Sequence, residues 1–150
     1  MTPDAYAALE AAGLPWRDVE RVVRDALAED YREGPDITSS ATVGDAGVVT
    51  GDVVARENGV LAGVPVAMAV ADLINELGHA GYGVAGYRHV SATALRADGD
   101  RVTPGDAVLR VSGSASGVLG AERTMLNFLT HLSGIATATR AWADAVGPAG

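Results

Sequence analysis

The sequence predicts an α+β fold with antiparallel strands, and three observations carry that expectation. Two helical segments open the chain, strands flank a third helix, and a long patterned helix closes it. Helices and strands show no regular βαβ alternation, so a parallel doubly wound sheet is not expected. Turn dipeptides at Asn58-Gly59, Asp98-Gly99 and Pro104-Gly105 cut the middle of the chain into short strands.

The first helix runs from Thr2-Pro3-Asp4 to about Ala12, with Thr2 as N-cap, Pro3 in the first turn and Gly13 past the end. The second spans Trp16 to Asp30, with Val19, Val22, Val23, Ala26 and Leu27 on one face. A loop, YREGPDITSSATV, follows, in which Gly34-Pro35 sets a turn and Asp36 or Thr38 can satisfy backbone donors. GVVTGDVVARENGVLAG reads as two strands around the turn Glu57-Asn58-Gly59. Pro65 starts a third helix that ends at Gly78. YGVAGYRHV is a further strand, and ALRADGDRVTPGDAVLRVSG reads as strand, turn, strand.

The last helix should extend from Gly117 to Val146, about 45 Å, with Gly147-Pro148 as its stop. Met125, Phe128, Leu129, Leu132, Ile135, Ala136, Thr139, Trp142, Ala143 and Val146 share one broad side. Gly120, Arg123, Asn127, Thr130, Gly134 and Ala138 form a polar or small strip opposite, so packing on two sides is expected. Such a length suits a connector between two parts of a protein, or a dimer contact.

Composition narrows the chemistry. At 150 residues and 48% hydrophobic, one domain with a sizeable core is expected, built mainly from Ala, Val and Leu because only 5% is aromatic. No apolar run is long enough for a membrane span, and MTPDAYAALE lacks the features of a signal peptide. The expectation is a soluble cytoplasmic protein. Without cysteine there is no disulfide framework or thiolate chemistry. The net charge is −8, and every one of the 11 cations is arginine. A basic nucleic-acid surface is not expected on such a chain. A lysine-free chain also excludes Schiff-base catalysis, a P-loop lysine, and biotin or lipoate attachment. That last exclusion disposes of a carrier-domain reading of GDRVTPGDAVLRV.

Candidate sites are few. His79, His89 and His131 match no metal-ligand spacing. His79 reads as a cap on the third helix, and His131 as a packing or supporting hydrogen-bonding group at the edge of the polar strip. SGSASGVLG lacks a dinucleotide fingerprint and reads as a flexible lead-in to the last helix. Glu29, Asp30, Glu33 and Asp36 could be acid/base groups or calcium ligands, but their spacing fits no EF-hand loop and a solvated face is the plainer account. Arg123 is the most informative residue. The small residues beside it invite close approach of another element, which would half cover the guanidinium and require an anion. From the pattern alone it is either a structural ion pair or a substrate anchor.

ERTMLNFLTHLSGIATAT resembles the central helix of the quinolinate phosphoribosyltransferase family (nicotinate-nucleotide pyrophosphorylase, carboxylating). ALAEDYREGPDITSSATV resembles that family's Glu-Asp-x-x-x-x-Gly-Pro-Asp-[IV]-Thr segment, and ARENGVLAGVPVA its following hairpin and helix. The resemblance implies a hammerhead-type N-terminal α/β sandwich over residues 1–115, then over 116–150 a long connecting helix and the truncated start of a barrel domain, an α/β-barrel absent here. It implies formation of nicotinate mononucleotide, CO2 and pyrophosphate from quinolinate and phosphoribosyl pyrophosphate, with Mg2+, in de novo NAD biosynthesis. It also implies a homodimer whose N-terminal domain covers the partner's barrel. Arg123, in Glu-Arg-Thr, is the one substrate-binding residue it assigns; it assigns no catalytic residue and no metal ligand in this chain. The family's barrel motif Asp-Thr-Arg-Lys-Thr is missing, so a fragment inactive on its own is expected. The competing expectations are a stand-alone α/β interaction module and a fragment of the related molybdenum-transport pyrophosphorylase.

Overall fold

The computed structural model describes residues 1–30, 47–79 and 89–147. Helix α1 (Pro3–Ala11) begins at the expected cap, where Thr2 Oγ1 accepts from the Ala5 N–H. Thr2 is also tied to the third helix: its N–H and its hydroxyl donate to Asp72 Oδ2 at 2.6 and 2.7 Å. Gly13 takes the left-handed conformation that ends the turn. Helix α2 (Trp16–Asp30) has the expected bounds and buries Val23 and Leu27. Val22, expected on the same face, is instead exposed, because 100° of rotation from Val23 carries it off the buried stripe.

Helix α3 (Val64–His79) lies at the centre and packs against α1, α2, the strand at 91–94 and the final helix. Its run VPVAMAVADLIN is apolar nearly all round, as a helix covered on every side must be. Asp98, in the turn Asp98-Gly99, closes its N-terminus by accepting from the Gly63 and Val64 N–H groups, both at 2.9 Å. Asn75 is buried on α3 and bonds to Val90 from both ends of its amide: Nδ2 donates to the Val90 carbonyl and Oδ1 accepts the Val90 N–H, each at 2.8 Å. The next residue, Glu76, binds Arg24 of α2 and the N-terminal amine.

Burial raises the Glu76 carboxyl, but hydrogen bonds from Arg24 and the amine more than offset this and hold it below the ordinary glutamate range. A carboxylate held low stabilises the fold while ionised, and that contribution disappears as the pH falls through its lowered value. Glu76→Gln should therefore lower Tm slightly at neutral pH, since a half-exposed pair is worth about 1 kcal/mol at most. Thermal scans of the two proteins should converge at acid pH; a gap that persists there contradicts the assignment.

Strands β1 (Val48–Val54), β3 (Ser91–Ala94) and β5 (Ala107–Ser114) form an antiparallel sheet in the order β1-β5-β3. Strands β2 (Gly59–Val60) and β4 (Arg101–Val102) form a separate two-stranded ladder. The expected hairpin at Glu57-Asn58-Gly59 is therefore absent: β1 and β2 do not pair. The register explains the preference for β5. It points Leu109 and Val111 into the core while Asp52 meets Arg110 and Thr50 meets Ser112 on the open face. The Arg110 guanidinium binds Asp52 bidentately at 2.7 and 2.8 Å. The loop at 31–43, with Glu33 and Asp36, lies outside the described residues, as do the cap role of His79 and most of the strand expected at 82–90.

β5 runs straight into helix α4 (Ala115–Val146), with Ser114 as N-cap. SGSASGVLG is thus no flexible lead-in but the end of a strand and the start of a helix. Gly113 is needed for packing there, since a Cβ would come within 2.9 Å of the His89 carbonyl oxygen and the Val90 Cα. α4 buries Ala121, Thr124, Met125 and Leu129, with Phe128 and Leu132 half-buried on the same core. The broad apolar face is covered no farther: Ile135, Trp142 and Val146 are exposed, Trp142 at 76%. Two hydroxyls on α4 complete the outer edge of the β2 segment. Thr137 Oγ1 accepts the Val60 N–H at 2.9 Å, and Ser133 Oγ both accepts the Ala62 N–H and donates to the Ala62 carbonyl. Four helical residues rise about 6 Å and two strand residues about 6.6 Å, so the spacings match. Gly147, with positive φ, ends the helix.

Candidate functional site

The residues around Arg123 are placed by two helices. On α2, Val23 and Leu27 pack into the core, and Asp30 continues their stripe at i, i+4 and i+7. The last residue of α2 is thereby brought against α4. On α4, Thr124 faces inward at 2% exposure, and Arg123, 100° around the helix, faces outward. The Thr124 hydroxyl donates to Asp30 Oδ2 at 2.6 Å. The other carboxylate oxygen, Oδ1, lies 4.0 Å from Arg123 Nη1, with side-chain exposures of 78% for Arg123 and 19% for Asp30.

Magnitudes explain why Asp30 stays there. A hydrogen bond from a buried hydroxyl to a charged acceptor contributes about 1.5–3 kcal/mol, enough to hold the Asp30 carboxylate against α4. Thr124 equally requires an acceptor, since its hydroxyl is out of reach of water.

The sequence left Asp30 among four carboxylates read as a solvated face, and that account fails for Asp30, although Glu29 is exposed. The signal was present in the continuation of the 23–27 stripe to 30 and in the inward phase of Thr124. Arg123 is not half covered, as expected, but mostly open to water, and it makes no pair within its own helix. At 4.0 Å its contact with Asp30 is too long for a hydrogen bond, so the guanidinium N–H groups are not consumed by it.

Two cavities flank this part of α4. A recess of about 550 Å³ beside the Asp30–Thr124 pair is lined by Glu29, Asn127, Phe128, Thr130 and His131 among others. A larger groove of about 960 Å³ runs between α4 and the strands. It is mainly apolar, and its single cation, Arg56, lies among Asp52, Glu57 and Glu122. A groove so charged suits no polyanion. Among the described residues no three His, Asp or Glu side chains come together as a metal site. No helix among them is long and apolar enough to cross a membrane.

Residues 36–133 match the family model described as quinolinate phosphoribosyl transferase, N-terminal domain. The nicotinate-nucleotide pyrophosphorylase (carboxylating) of Mycobacterium leprae is 50% identical over 124 residues, covering 83% of this chain and 40% of that protein. The chloroplastic nicotinate-nucleotide pyrophosphorylase (carboxylating) of Arabidopsis thaliana is 37% identical, over 90% of this chain and 35% of its own. Among solved structures, NadC from Streptococcus pyogenes superposes with a TM-score of 0.76 at 34% identity, over 90% of this chain and 44% of its own. The chain thus spans between 35% and 40% of the length of these two curated relatives.

Proposed function

The chain belongs to the quinolinate phosphoribosyl transferase N-terminal domain family, and on that premise we propose that it serves as the N-terminal part of an enzyme of NAD biosynthesis. The reaction converts quinolinate and phosphoribosyl pyrophosphate to nicotinate mononucleotide, CO2 and pyrophosphate. Residues 1–115 are the sandwich domain, and 116–150 hold the connecting helix and the start of an α/β-barrel domain. The enzyme is a cytoplasmic homodimer, and Arg123 reaches a quinolinate carboxylate in the partner's barrel.

The observation that carries this reading is the state of Arg123: a guanidinium mostly open to water on α4, 4.0 Å from Asp30 and not hydrogen-bonded to it. A planar fork in that condition suits bidentate capture of a carboxylate, and quinolinate has two. Mg2+ belongs to the same reading. No group of donors among the described residues could hold it, so those residues are assigned no metal ligand and no step through the metal.

Both substrates are anionic, and a lysine-free chain of net charge −8 is poorly matched to them. In a steady-state assay with Mg2+, the 150-residue chain should form no nicotinate mononucleotide above the buffer background. An enzyme of full family length that carries these residues should turn over. Product formation by the shorter chain, or none by the longer, overturns the proposal.

A further inference from the structure

We propose that Asp30, fixed by Thr124, is a positioning residue that aims Arg123 at the carboxylate it binds. This deepens the function just proposed and rests on it. The two oxygens of Asp30 are divided between two tasks. Oδ2 takes the 2.6 Å bond from a hydroxyl that is itself buried, which pins the carboxylate. Oδ1 is left facing the guanidinium at 4.0 Å. A fixed negative charge at that distance restrains a long, exposed side chain without occupying its N–H donors. An arginine restrained in this way loses less freedom on meeting a ligand than one that sweeps through solvent.

The test uses an enzyme of full family length carrying this sequence, with quinolinate and phosphoribosyl pyrophosphate as probes. Asp30→Asn keeps an oxygen for Thr124 but removes the charge facing Arg123. Its KM for quinolinate should rise about three- to fivefold, because a pair with a largely exposed partner is worth about 1 kcal/mol at most. Its kcat, its KM for phosphoribosyl pyrophosphate and its Tm should stay near wild type. In an Arg123→Ala background the same change should add nothing, because the residue being aimed is gone. If Arg123→Ala alone leaves the quinolinate KM unchanged, the functional reading falls and the positioning role falls with it. If Arg123→Ala raises KM while Asp30→Asn leaves it unchanged or lowers it, only the positioning role is overturned. Should Asp30→Asn fail to fold, Thr124→Val carries the test: it frees the carboxylate without removing it and should give a smaller rise confined to quinolinate. The absence of that rise overturns the proposal equally. On the 150-residue chain, NMR relaxation of the Arg123 Nε–H should report greater side-chain mobility in Asp30→Asn, and unchanged mobility counts against restraint.

Discussion

Arg123→Ala, in an enzyme of full family length, is expected to raise the KM for quinolinate at least about 30-fold. Removing one partner of a desolvated charge pair costs about 2–5 kcal/mol, and each 1.4 kcal/mol is a factor of ten. The loss should fall on one substrate, since the proposed contact is to a quinolinate carboxylate; KM for phosphoribosyl pyrophosphate should stay within about twofold of wild type. If the residue acts across the dimer, Arg123→Ala subunits mixed with subunits disabled in the barrel should recover part of the activity through hybrid sites. Wild-type quinolinate kinetics in the mutant would return Arg123 to the role of a surface ion pair. No recovery in the mixture would remove the cross-subunit contact.

The largest loss of stability is expected from Asn75→Ala. The amide of Asn75 serves the Val90 N–H and carbonyl together and also donates to the Ala71 carbonyl, all in the interior. Alanine would strand two backbone groups of a fully buried residue, where water cannot replace the lost partner. Each stranded group costs about 1–3 kcal/mol, so the sum is about 2–6 kcal/mol. For a chain of this length, 1 kcal/mol moves Tm by about 2–4 °C, and a fall near 10 °C should appear in calorimetry. A shift of only a degree or two would mean that the segment leading into β3 does not depend on Asn75.

Helix ends were legible in the sequence because their signals are local. Thr2-Pro3 and Gly13 bracket α1, Pro65 marks the start of α3, and Gly147 ends α4 within the turn expected. Strand partners were not legible, because β1 pairs with a segment some sixty residues away while Glu57-Asn58-Gly59 offers a plausible turn next door. What decides between them is burial of Leu109 and Val111, which no local pattern encodes. The apolar side of α4 was read correctly as a stripe but not in extent, since periodicity tells which residues share a face and not how far along it a neighbour reaches. Of the candidate site, Arg123 came from its motif. Asp30 was hidden among its neighbours, because a carboxylate reveals its partner only when two helices are placed side by side.

The hydroxyls of Ser133 and Thr137 on the edge of β2 carry a consequence for the order in which the molecule assembles. Val60 must wait for a partner 77 positions later in the chain. At a synthesis rate of about 5–20 residues per second, that is a delay of about 4–15 s. Asp30 waits longer still, for Thr124, 94 positions on. Until the last helix emerges, β2 has an open edge and Asp30 lacks its hydroxyl partner, although α1, α2 and α3 have long been made. The first half of this fold therefore closes only when its final helix arrives, and the Asp30–Thr124 contact beside Arg123 is made in the same late step.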